Sequence, residues 1–330
     1  MALRRVALSL LTVLAAQGAL AQQALSPMPV PSVPSRIELH PVPTLTLPDA
    51  AFLKGDRTAG QPTTLAGELR IAQGDGRLPA VILLHGSGGL SSAADMWARD
   101  FAEIGVSTFL LDYFTGRGLT SVSADQSRLG RLQAILDAYQ ALAILAKHPR
   151  VDPNRIALIG FSRGGQATLY ASLQRFHDMW NKSGSEFAAY LPFYPDCMTT
   201  FVDDTKIRPV PVRMFHGDVD DYNPAPQCTA FMQRLKAAGV DVTQTLYPGA
   251  SHSFDNPTGG NPAPVSASSQ TVRKCQLREE PLGQIVNAQG VPFTYKDPCV
   301  ELGPHVGYQP EASLASRAAV RAFLKERFKL

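Results

Sequence analysis

The chain has 330 residues, with 31 Lys and Arg against 28 Asp and Glu and a formal charge of +3. That near balance steers neither nucleic acid nor an anionic lipid surface, and 45% hydrophobic residues suffice for a large core. The partner these totals leave open is a small molecule, and nothing in them specifies an oligomeric state.

The first residues differ from the rest. Arg4 and Arg5 form a basic head, Val6 to Ala16 is an apolar run, and small residues end at Ala19-Leu20-Ala21. This is the three-part layout of a secretory signal peptide, with cleavage expected after Ala21. The run is too short to span a bilayer comfortably at about 1.5 Å per residue, so no stable membrane insertion is expected. Export to a periplasmic or extracellular space follows. Losing residues 1–21 removes Arg4 and Arg5 and takes the formal charge from +3 to +1. Residues 22–58 carry Pro27, Pro29, Pro31, Pro34, Pro41, Pro43 and Pro48; the early part reads as a tether, and an edge strand is expected around Ile37 to Leu47. A single domain is expected over residues 59–330.

Within it, residues 63–72 alternate in polarity, and Pro79 to Leu84 is a continuous apolar run of the kind a buried parallel strand shows. That run ends in His85-Gly86-Ser87-Gly88-Gly89. A helix over 91–103, a strand over 106–113 and a long helix over 123–147 follow. Next come a strand over 155–160 and a helix opening at Arg163 and running toward His177. Strands over 188–193, 210–216 and 240–247, a helix over 224–238 and a closing helix over 311–328 complete the pattern. Strands separated by helices imply right-handed crossovers and a mainly parallel sheet flanked by helices. Residues 257–310 break the pattern: they are rich in Gly, Pro and Asn and too long for an ordinary connection.

The four cysteines, Cys197, Cys228, Cys275 and Cys299, contain no Cys-x-x-Cys pair. In an exported chain two structural disulfides are expected rather than a metal site. The preferred pairing is Cys197–Cys228 with Cys275–Cys299, because each closes a local segment. The second would brace the 257–310 excursion. No cofactor and no metal is expected.

Chemistry concentrates in Ile156-Ala157-Leu158-Ile159-Gly160-Phe161-Ser162-Arg163-Gly164-Gly165. This is a strand, a Gly-x-Ser-x-Gly pentad, then a helix-forming stretch. A serine pushed out of a sheet on such a turn needs Gly160 and Gly164 because the flanking strand and helix approach closely. A serine hydroxyl is a weak nucleophile until a base takes its proton. His252, in Tyr247-Pro248-Gly249-Ala250-Ser251-His252-Ser253-Phe254, follows the last predicted strand and so reaches the same sheet edge as Ser162. His305 is the reserve. The acid that orients the imidazole is expected after the strand ending near His216, where Asp218, Asp220 and Asp221 compete. Spacing does not choose among them; Asp220 is preferred, and one of the others is expected to cap the helix near Pro224. The oxyanion donors are expected to be the backbone N–H of Arg163 and that of Ser87 or Gly88. The glycine run at 86–89 lacks the Lys-Ser/Thr ending of a phosphate loop.

With these motifs in place, the chain resembles the dienelactone hydrolase family of the α/β-hydrolases, over roughly residues 60–256 and the closing helix. The resemblance implies the order nucleophile, acid, histidine, here Ser162, Asp220 and His252, with His216 to Asp221 matching the family's acid loop. Asp112 and Arg117 resemble an Asp…Arg-Gly element that braces the pocket. Pocket shape is expected to depend on Tyr113, Phe114, Phe161, Tyr194, Tyr222 and the excursion. The chain departs from the namesake enzymes in its serine nucleophile, its leader and its cysteine-bearing excursion. The implied activity is hydrolysis of carboxylic esters, lactones included. The rival readings are a serine peptidase for short peptides, a binding protein that kept the fold, and a metal-dependent hydrolase. The last is disfavoured because no His/Asp cluster shows ligand spacing.

Overall fold

The computed structural model describes residues 32–281 and 283–330. The expected leader, residues 1–21, lies outside them. In chain order the strands of the main sheet are β1 (Arg36–Thr46), β2 (Gln61–Ile71), β3 (Leu78–Leu84), β4 (Ser107–Asp112), β5 (Val151–Phe161) and β6 (Ala189–Phe193). After the short β7 (Thr199–Thr200) come β8 (Val212–Gly217) and β9 (Val242–Tyr247). The helices are α1 (Asp49–Lys54), α2 (Ser92–Ala102), α3 (Gln133–Leu145), α4 (Arg163–Tyr170), α5 (Gln174–Trp180), α6 (Ala225–Ala237) and α7 (Pro310–Phe328).

The eight strands lie in the order β1-β2-β4-β3-β5-β6-β8-β9. β2 is antiparallel to both neighbours, and every other pairing is parallel. β3 is buried on both faces, which is why its run shows no polar alternation. Its side chains are still dealt out with period two. Val81 and Leu83 join Trp97 and Phe101 of α2 and Val320 and Leu324 of α7 on one face. Ala80, Ile82 and Leu84 join Ile135 and Leu142 of α3 on the other. The expected helix-flanked parallel sheet is therefore present.

The structure corrects three boundaries. The edge strand expected around Ile37 to Leu47 is β1, which pairs with β2 from Arg36↔Ile71 to Thr46↔Gln61, and α1 after it buries Ala51, Phe52 and Leu53. The folded domain thus includes residues from 36 onward, not from 59. Pro41 and Pro43 fit there because an edge strand tolerates the missing N–H. The helix expected over 123–147 exists only from 133 to 145. Asp49 accepts the backbone N–H groups of Arg131 and Leu132, both at 3.0 Å, and so sets the start of α3 from a distant part of the chain. The residues before it form a loop with one 3₁₀ turn at Gln126–Arg128. The helix from Arg163 also breaks, between α4 and α5, where the Ser172 hydroxyl donates back to Leu169 O and Leu173 turns extended.

The excursion has small elements of its own: β10 (Gln270–Thr271), β11 (Leu277–Glu280), β12 (Gln284–Val286) and β13 (Glu301–Leu302). β10 pairs with β13, β11 with β12, and β11 also runs parallel to β7. Disulfides join Cys197 to Cys228 and Cys275 to Cys299, in the expected pairing. Glu38, His40 and His148 also meet, with ligand-type atoms within 4.8 Å of one another. The sequence showed no such cluster because Glu38 and His148 lie 110 positions apart. His148 Nδ1 accepts the Arg150 N–H, so its Nε2 carries the proton and donates to Glu38, and the three side chains form a hydrogen-bonded group.

Arg117 lies in the core rather than along a pocket. Its guanidinium donates to both Asp137 oxygens, at 2.8 and 2.9 Å, and also to Thr46 Oγ1 and Tyr113 O. Asp137 in turn accepts from Thr44 and Gln133. The pair ties β1 to α3, and removing one partner strands a buried charge. Asp137→Ala is expected to lower the unfolding free energy by about 3–5 kcal/mol in urea titration; a loss under about 1 kcal/mol would mean the brace is dispensable.

Candidate active site

Ser162 stands between the end of β5 and the start of α4, with φ 54 and ψ −114. A non-glycine residue at that φ is strained, and the surrounding packing has to hold it there. An ideal Cβ on Gly160 would lie 2.1 Å from Gly164 O, and one on Gly164 would lie 2.4 Å from Leu84 O. Neither site has room for a side chain, which is the physical content of the pentad. A Cβ on Gly86 would come 3.2 Å from Ser162 Cβ, so the glycine loop after β3 lies directly against the serine.

The three residues preferred from sequence meet. Ser162 Oγ is 2.8 Å from His252 Nε2, and His252 Nδ1 is 2.8 Å from Asp220 Oδ2. A carboxylate only accepts, so Nδ1 carries the proton and Nε2 is free to accept from the Ser162 hydroxyl. Asp220 is buried, and its Oδ1 accepts from the N–H groups of Tyr222 and Asn223 at 2.8 and 2.9 Å. Burial alone would push this carboxyl up, but the imidazoles of His252 and His216 outweigh it and hold the carboxyl well below the usual carboxylate range. The His252 ring is stacked on Tyr222 at 4.5 Å and meets the edge of Tyr194 at 4.7 Å.

The rival candidates have other partners. Asp218 accepts from Gly249 N in the histidine loop. Asp221 accepts from His305 N and Nδ1 and from Arg273, tying down the excursion, so His305 is committed elsewhere. Neither caps the helix at Pro224; α6 has no side-chain cap.

A cleft of about 340 Å³ opens in front of Ser162, lined by residues that include Ser87, Gly88, Phe161, Tyr194, Tyr222 and His252. Arg163 opens α4, where unpaired N–H groups of a first turn accumulate. Tyr113 and Phe114, expected to shape the pocket, do not line it. Tyr113 is fully buried beneath His85, stacked at 4.0 Å, with its hydroxyl on His85 O. Asp112 accepts from the N–H groups of Phe114 and Thr115 and shapes that turn.

Two residues not singled out from sequence organise the site. Gln126 accepts from the Arg163 guanidinium and the Ser87 hydroxyl, and donates to Tyr222 Oη and Gln270 O. Reading its segment as part of a long helix over 123–147 hid it. Asp255, fully buried, accepts from Trp97 Nε1 at 2.7 Å and from the Tyr194 hydroxyl at 2.6 Å. Its position three residues after His252 was the available signal.

A nucleophile-type serine on a strained strand-to-helix turn, hydrogen-bonded to an imidazole that a buried carboxylate orients, at the carboxyl edge of a mainly parallel sheet, defines an α/β-hydrolase. The description of the dienelactone hydrolase family matches residues 65–276, well over half of the chain, and the chain belongs to that family. It is 25% identical over 190 residues to protein usf of Aquifex pyrophilus, covering 54% of this chain and 77% of that one. It is 35% identical over 105 residues to acyl-protein thioesterase 1 of Gibberella zeae, covering 31% of this chain and 42% of the thioesterase. A dienelactone hydrolase-like promiscuous phosphotriesterase from metagenomic libraries shares the fold, with TM-score 0.55 at 19% identity over 88% of this chain and 98% of that one.

His85 offers a test of the cleft's electrostatics. Burial pushes its imidazole down to a pKa of about 4, with Nδ1 donating to Gly86 O and Nε2 making no hydrogen bond, 3.9 Å from Asp112 Oδ1. An unfolded histidine rebinds a proton near pH 6.5. The folded state's advantage is therefore whole above about pH 6.5 and is lost as pH falls through 4. His85→Gln is expected to flatten the acid-side fall in unfolding free energy between pH 6.5 and 4 by up to about 3 kcal/mol. An unchanged slope in urea titrations across that range would reject this account.

Proposed function

We propose that this carboxylic ester hydrolase works through an acyl-enzyme on Ser162, with His252 as base and then acid and Asp220 as the orienting carboxylate. The observation carrying the reading is the pair of 2.8 Å contacts that links the three side chains. As Ser162 Oγ attacks the ester carbonyl, His252 Nε2 takes its proton, and the imidazolium is stabilised by Asp220. The tetrahedral oxyanion is received by the backbone N–H of Arg163 and that of Ser87 or Gly88. Each such donor contributes about 10²–10³ in rate at comparable sites. His252 then protonates the departing alcohol. Water, deprotonated by the same nitrogen, releases the acid and restores Ser162.

Ser162→Ala is expected to lower kcat on p-nitrophenyl esters by about 10⁶ while leaving the unfolding curve in place. A fluorophosphonate should label the wild type and not the variant. An alanine variant with wild-type turnover would reject the assignment.

The reading includes export. It is supported by the basic, apolar and small-residue order of residues 1–21 and by two disulfides that an oxidising compartment favours. Expressed with that leader, the chain is expected in the exported fraction with a new N-terminus after Ala21. A cytoplasmic product with the leader intact and free thiols would reject export.

A further inference from the structure

The walls of the cleft carry a consistent electrical character. Besides the reacting groups, the lining offers the hydroxyls of Ser91, Ser123, Ser253, Ser266 and Ser269, the Asn256 amide, aromatic edges and small alkyl groups. Its carboxyl, Asp255, is fully buried, with each oxygen already accepting one hydrogen bond from a neutral donor. His85, the second imidazole of the lining, is held neutral by burial.

Four arginines of the surrounding segments are committed away from this space. Arg163, next to the serine, gives its side chain to Gln126 Oε1 and to the carbonyls of Leu129 and Gly130. Arg117 is locked on Asp137, Arg131 on Asp196 and Tyr295, and Arg273 on Asp221 and Glu301. Among the described residues no arginine or lysine lines the cleft.

A substrate carboxylate entering here would lose water, find no counter-charge and approach a wall that already holds a carboxyl. Each of those is unfavourable for an anion. A neutral ester meets the opposite situation. Serine hydroxyls both donate and accept, so they satisfy uncharged carbonyl, ether and hydroxyl oxygens equally well.

We propose that the cleft selects uncharged esters and rejects esters or lactones whose acyl part bears a free carboxylate. The selection is made by the hydroxyl-lined wall, by Asp255, and by the outward commitment of the neighbouring arginines. The inference rests on the reading of Ser162 as nucleophile.

The test compares two substrates of one chain length, methyl 4-nitrophenyl adipate and mono-4-nitrophenyl adipate, at pH 7.5 with spontaneous hydrolysis subtracted. Wild type is expected to favour the neutral diester in kcat/KM by about a hundredfold or more. Val306→Lys and Ser91→Lys each put an ammonium at the cleft wall, and each is expected to narrow that ratio by about tenfold. Equal kcat/KM for both esters, or preference for the anion, in a wild type whose Ser162 takes a fluorophosphonate overturns the charge selection alone. A ratio that neither lysine moves also overturns it. A chain that cleaves neither ester and takes no fluorophosphonate overturns the serine reading, and this inference with it.

Discussion

Ser162 keeps a backbone conformation that L-residues avoid because three segments crowd in around it where glycines leave space. Gly160 admits the carbonyl of Gly164, Gly164 admits the carbonyl of Leu84, and Gly165 admits that of Phe193. The end of β5, the first turn of α4 and the ends of β3 and β6 thus lie closer than any side chain would permit. The strain at one residue is offset by close packing of its neighbours, and the result is a hydroxyl aimed outward from a rigid support. The rest of the site needs only to bring an imidazole to that fixed point.

The imidazole is held from several directions. Gly307 N donates to His252 O, Gln309 N donates to Phe254 O, and His252 bridges to Val306, so the end of the excursion clamps the histidine loop. Tyr222 covers one face of the ring. Tyr194, itself at φ 36, meets the ring while its hydroxyl reaches Asp255, which also accepts from Trp97 of α2. A Cβ on Gly217 would lie 2.1 Å from Ala250 O, so the strand carrying the acid and the loop carrying the histidine touch backbone to backbone. The excursion therefore acts as part of the active-site frame.

Much of this was legible beforehand, for identifiable reasons. β3 and β5 announced themselves as apolar runs ending in glycine-rich turns, and the steric demand of the elbow falls on residues adjacent in sequence. The sheet-edge rule then limited the base to loops after strands, which brought out His252. What stayed hidden depends on partners distant in the chain. Asp49 setting the start of α3, Arg117 buried against Asp137 and Gln126 bridging Arg163 to Tyr222 leave no local periodicity. The aromatic and basic residues near Tyr113 looked like pocket residues because their loop follows a parallel strand. They turn inward because Asp137 and His85 offer them buried partners.

The acid loop packs three carboxylates into four residues, and each has a different employer. Asp218 steadies the turn that leads to the histidine, Asp220 serves the imidazole, and Asp221 fastens His305 and Arg273 of the excursion. Shortening or lengthening this loop by one residue would misregister all three attachments together. Removing the excursion would likewise leave Asp221 without Arg273 and His305, one position from the carboxylate bonded to His252. The stretch between those anchor points at 273 and 305 is tied down in its turn, by the Cys275–Cys299 bridge, by β11 beside β7 and by Tyr295 on Arg131.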